Sequence, residues 1–143
     1  MSSKIRFIVP GEPQGKARPR VVRTANGKTH TYTPDKTAAY EELVRVCCRQ
    51  VCENLLEGEL CAAITARFAI PKSSSKKCRI AMESGAIRPI KRPDADNIAK
   101  IILDALNGLA YADDSQITML MVKKEYSEQP EVEVEVWVRH KSS

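Results

Sequence analysis

A chain of 143 residues, 43% apolar and 29% charged, can bury a proper core without disulfides or a structural metal. No apolar run approaches the roughly 20 residues of a membrane span, and the N-terminus lacks the apolar segment of a signal peptide. The expectation is one cytoplasmic domain over residues 1–143, with no membrane partner.

The net charge of +5 is unevenly spread. Residues 1–36 carry eight lysines and arginines against two carboxylates, and residues 71–92 seven against one, whereas residues 94–143 are net acidic. Basic segments flanking an acidic half suit a polyanion docked beside a carboxylate site; a merely solvated basic surface is the alternative. Five cysteines (Cys47, Cys48, Cys52, Cys61, Cys78) are odd in number and form no CxxC pair. That usage indicates reduced, partly buried thiols.

In chain order, Lys4 to Val9 reads as a strand ended by Pro10-Gly11. Residues 11–36 are loop-like, and Lys16, Arg18, Arg20 and Arg23 recur at short intervals. In an extended chain Lys16, Arg18 and Arg20 would project to one side and track successive phosphates. Thr33-Pro34 fits an N-cap and first helical position, predicting a helix to about Leu56 that Gly58 stops. Its core face would hold Tyr40, Leu43, Val44, Cys47, Val51 and Leu55, with Glu41 and Glu42 on the polar face.

Leu60 to Ile70 alternates as a half-buried strand. Residues 71–93 read as a mobile basic loop with a short helix around Lys76 to Glu83. Strands follow at Ile117 to Tyr126 and Glu131 to Val138, the latter with its valines inward. Strand, helix, strand, helix, strand, strand predicts an α+β, two-layer sandwich: a mixed four-stranded sheet with two main helices on one face.

The chemistry concentrates in Lys91 to Gln116. Asp94 and Asp96 cannot share a face within a helix, so Pro93 to Asp96 is expected to be extended, with Asp96 as N-cap of a helix from Asn97. Ile98, Ile101, Ile102, Ala105, Leu106 and Leu109 then face the sheet. Lys100 stands one turn from Asp96 on the exposed face, and Asp104 is a bystander. Ala99 and Leu103 form an apolar shoulder suited to dimerisation. Asp113 and Asp114 close the stretch.

An ordinary Asp96–Lys100 helix pair and a pair of turn aspartates would explain parts of this, but not Asp94. A calcium-loop reading fails, because the positions for Gly and Glu hold Ala99 and Ala105. Neither GxGxxG nor GxxxxGK[ST] occurs, which argues against a nucleotide cofactor. A hard-cation carboxylate site for Mg²⁺ or Mn²⁺ beside a phosphate remains.

RPDADNIAKIILDALNG followed by AYADDSQI resembles the RusA-type Holliday junction resolvases, a family of homodimeric, Mg²⁺-dependent endonucleases. Gly11, Pro13, Lys16, Arg18, Pro19 and Arg20, then Tyr32-Thr33-Pro34 and Tyr40, resemble its Gram-positive and phage members. The resemblance implies Asp94, Asp96 and Asp114 as metal ligands, Asp113 beside them, and Lys100 as a lysine supporting catalysis. It also implies branched DNA as substrate, gripped by Lys16, Arg18, Arg20, Arg23, Lys91 and Arg92, and a homodimer that cuts opposing strands of a four-way junction. A flap or fork nuclease on the same fold and a non-catalytic basic binding module are the competing expectations.

Overall fold

Alternation of apolar and polar residues decides the sheet. The computed structural model describes residues 3–17, 20–32 and 34–140. Strands β1 (Lys4–Pro10), β4 (Leu60–Ala69), β5 (Ile117–Ser127) and β6 (Glu131–Val138) form one mixed sheet in the order β1-β6-β4-β5. β6 runs antiparallel to both neighbours and β5 parallel to β4. Ile5, Phe7 and Val9, the even positions from Leu60 to Phe68, and Val132, Val134 and Val136 are all buried on one face. Helices α1 (Asp35–Arg49) and α3 (Ala95–Leu106) cover that face and touch each other. This is the expected α+β architecture.

Ion pairs across strands hold the other face. Arg67 meets Glu125, Glu131 and Glu133 at 3.0, 2.7 and 2.8 Å, and Arg6 meets Glu133 at 2.8 Å. Glutamates on adjacent strands would repel one another without that guanidinium, and three hydrogen bonds from one planar group fix the local register.

Three local expectations change. The segment taken as loop contains a hairpin of β2 (Arg20–Arg23) and β3 (Thr29–Tyr32), reversed at Gly27, whose φ of 78° suits glycine. The first helix stops at Arg49 instead of Leu56, so Val51 and Leu55 are about half exposed. Pro34 occupies the N-cap position and offers no side-chain cap; Thr33 lies outside the described residues. The short helix α2 (Lys76–Ser84) is present, capped by Ser75 and ended by Gly85 at φ 86°.

Glu41 was expected on the polar face of α1, yet it is buried. Its partner comes from 25 residues upstream: Lys16 Nζ donates to Glu41 Oε2 at 2.8 Å and lies 3.4 Å from Asp104 Oδ2 on α3. Asp104 is therefore no bystander. Burial opposes the Lys16 charge, but Glu41 and then Asp104 outweigh it and hold its pKa above the ordinary value. The loop is fastened on both sides of this ion triad. Pro13 is buried, Glu12 accepts from the Ala69 amide, and the Lys16 amide donates to the Asn97 carbonyl at 3.1 Å.

Removing one member of a largely buried pair strands the other charge, whereas exposed pairs contribute little. Glu41→Ala should destabilise the protein by about 3 kcal/mol in urea unfolding. Its neighbour Glu42, exposed and paired with Arg45 and Arg49, should cost less than about 1 kcal/mol on the same substitution.

Candidate active site

α3 positions the acidic residues because its apolar face is completely buried. Ile98, Ile101, Ile102, Ala105 and Leu106 show no exposed surface, and each fully buried isoleucine contributes roughly 2 kcal/mol. The helix cannot roll without exposing them. Ala99 is only 4% exposed, so it belongs to the core and not to an apolar shoulder on the surface. Leu103 is half-buried beside it.

The helix begins two residues earlier than the sequence suggests. Asp94, not Asp96, is the N-cap: its backbone is extended and its Oδ1 accepts from the Asn97 amide at 3.0 Å. Asp96 falls in the first turn. Both carboxylates are exposed at the positive end of the helix dipole, which favours two negative charges there. Lys100 is exposed one turn on, and neither Asp96 nor Lys100 takes part in an ion pair among the described residues. The ordinary helix pair is thus not what these side chains form.

The second acidic pair sits at the opposite end. Tyr111, wholly buried, donates its hydroxyl to the Leu103 carbonyl at 2.7 Å and anchors the turn after α3. A short 3₁₀ turn, Asp114–Gln116, follows. Asp113 caps it through Ser115, which lowers its pKa below the usual carboxylate value, and Gln116 reaches back to the Asp113 amide. The Asp114 amide donates to Asn107 Oδ1 at 2.9 Å, while its carboxylate accepts no hydrogen bond among the described residues. Asp113 thus caps the turn as Asp94 caps α3, and the Asp114 carboxylate has no such role among the described residues.

From Asp94 to Asn107, at 1.5 Å per residue, α3 separates the two acidic ends by roughly 20 Å. Among the described residues no three His, Cys, Asp or Glu side chains gather closely enough to hold a metal ion. One chain therefore places Asp94, Asp96 and Lys100 toward one end of α3 and Asp114 at the other. Asp94 and Asp96 are hard oxygen donors open to solvent, and Mg²⁺ commonly takes one or two carboxylates with waters and phosphate oxygens. The pair fits such an ion.

The expected phosphate comb does not stand as one row. Lys16 turns inward to Glu41 and Asp104. Arg18 lies outside the described residues, and of Arg20 only the backbone, at the start of β2, is described. Arg23, Lys91 and Arg92 are exposed. The sequence reading overlooked Lys124 on β5, whose Nζ donates to the Lys91 carbonyl at 2.6 Å. It also overlooked Gly15, against which Pro93 and Asn97 pack. The five cysteines are free, with Cys48 and Cys61 buried.

The family model for Endodeoxyribonuclease RusA matches residues 10–137. An uncharacterized protein of Bacillus subtilis (strain 168), YqaN, is 41% identical over 133 residues, covering 91% of this chain and 93% of the relative.

A Cβ at residue 15 would lie 2.9 Å from the Pro93 Cβ and 3.2 Å from the Asn97 Cβ. Gly15→Ala must push the segment that carries Asp94. Urea unfolding should register a loss of about 1–3 kcal/mol, the usual cost of overpacking; an unchanged midpoint would contradict the close contact.

Proposed function

The chain belongs to the RusA endodeoxyribonuclease family, whose members resolve Holliday junctions, and on that premise we propose a divalent-metal-dependent nuclease whose active site is completed by a second copy of the chain. The observation that carries this reading is the division of the carboxylates between the two ends of α3. Asp94 and Asp96 would hold the ion, and Asp114 of the partner subunit would supply the third carboxylate. The likeness of the AYADDSQI segment to the family's pattern favours Asp114 over Asp113 for that role.

The free edge of the sheet supports the partnership. β5 is the terminal strand, and Met119, Leu120 and Met121 on it are 59, 44 and 61% exposed. An apolar edge of this kind invites pairing. Two such edges, paired antiparallel about a two-fold near Leu120, would set the beginning of one β5 against the end of the other. That arrangement would carry Asp114 of the partner subunit toward Asp94. It would also give two sites related by two-fold symmetry, as a four-way junction requires.

Mg²⁺, or Mn²⁺ in its place, would supply Lewis-acid activation of the scissile phosphate and the attacking water when bound. The chain's own groups have separate tasks. Asp94 holds its carboxylate at a fixed height by capping the helix, and Asp96 offers a second from the first turn. Lys100, without an ion pair among the described residues and one turn away, would offset charge that develops on the phosphate in the transition state. Arg23, Lys91 and Arg92, together with Arg18 and Arg20, would grip the backbone of branched DNA. Lys16 does not join them; it ties the N-terminal strap to α1 and α3.

Purified protein with Mg²⁺ and a synthetic four-way junction should release paired nicks, and a chelator should abolish them. Asp96→Asn should lower the rate roughly 100-fold or more while junction binding persists. Cleavage of flap and linear duplex substrates at rates equal to the junction would instead indicate a less selective nuclease. Junction binding without cleavage in any divalent metal would leave only a binding module and overturn the proposal.

A further inference from the structure

Lys124 lies near Asp94 without forming an ion pair among the described residues. Lys124 pairs with Ala66 in the parallel register of β4 and β5, so its side chain projects to the helix-covered side of the sheet. It is half-buried there. Its ammonium lies 5.2 Å from the centroid of Phe68, a ring 2% exposed, and that of Lys91 lies 5.6 Å from the same centroid. Burial holds the Lys124 pKa below its ordinary value, opposed by the Asp94 charge and reinforced by that of Lys91.

This is a costly way to hold a backbone carbonyl. An ammonium has three donors, and Lys124 uses one, toward the Lys91 carbonyl. It makes no ion pair among the described residues, and its nearest like charge repels it. A neutral donor would tether Lys91 equally well without giving up hydration. A partly desolvated ammonium and an exposed one at the same ring, beside a carboxylate too distant to pair with Lys124, leave room for an anion.

We propose that Lys124 and Lys91, gathered at the Phe68 ring, form a phosphate-binding subsite at the Asp94 end of α3 that seats one phosphodiester of the DNA backbone. The inference rests on the nuclease reading, since only a nucleic acid brings phosphates to this place. A phosphate would take up the unused donors of Lys124 and relieve its repulsion from Lys91. The same hydrogen bond would then couple phosphate binding to the position of residues 91–93, and so to the entry into Asp94. The neighbouring Lys123 projects to the opposite face, where it lies 3.9 Å from Glu125, and provides a control.

The test is the salt dependence of metal-free junction binding, with cleavage in Mg²⁺ measured in parallel. Each phosphate contact contributes about 0.9 to the slope of log affinity against log salt. Lys124→Met should reduce that slope by about 1 and slow cleavage by roughly 10-fold or more, with no fall in thermal midpoint because a desolvated charge has been removed. Lys124→Arg should restore the slope, and Lys123→Met should leave it as in wild type. A Lys124→Met protein that folds but keeps the wild-type slope would overturn the inference, as would one that loses only stability. If Lys124→Met does not fold, an unchanged slope for Lys91→Met would overturn it equally. Wild-type protein that cleaves no junction would strike the nuclease reading instead, so the two failures are distinguishable.

Discussion

The length of one buried helix governs the rest. α3 lies against the sheet with five residues wholly removed from solvent, and its axis puts roughly 20 Å between the two acidic ends. Nothing in a single chain can shorten that distance, because the isoleucine face fixes the helix and Tyr111 fixes the turn after it. The site proposed for the metal is thus half present in each copy. The exposed methionines of β5 mark the edge across which the other half would come.

The basic N-terminal segment divides in two. Up to Ala17 it is a strap, bonded to Asn97 through its backbone and to Glu41 and Asp104 through Lys16. Beyond Arg20 it is a hairpin carrying Arg23. Because the strap ends on the first turn of α3, at Gly15 against Pro93 and Asn97, the hairpin is rooted in the segment that holds Asp94 and Asp96.

Much of the fold was legible because its patterns are strong. The alternating valines of β6 and the isoleucine arc of α3 each admit one orientation only. The cap was not legible: Asp94 and Asp96 both suit an N-cap, and local sequence does not choose between them. Glu41 looked exposed because it occupies the polar arc of α1; only a lysine 25 residues away makes it a core residue. Lys124 was invisible for a similar reason. Lys123 and Lys124 are adjacent and chemically alike, and the register with β4 alone decides which one faces the helices. Asp94, Asp96 and Lys100 are legible as a candidate cluster because their spacing is local, whereas the separation of Asp114 from them is a property of the folded chain.

The central claim is that each active site draws on two chains. It is tested most directly by mixed dimers. Asp94→Asn and Asp114→Asn subunits, each expected to be inactive alone, would carry different tags and be purified as a heterodimer after coexpression. If the site is shared, the heterodimer contains one site with Asp94, Asp96 and Asp114 all intact, and it should nick a four-way junction on one strand in Mg²⁺. If each site lies within one chain, both sites of the heterodimer are damaged, and a heterodimer as inert as its two parents would contradict the account.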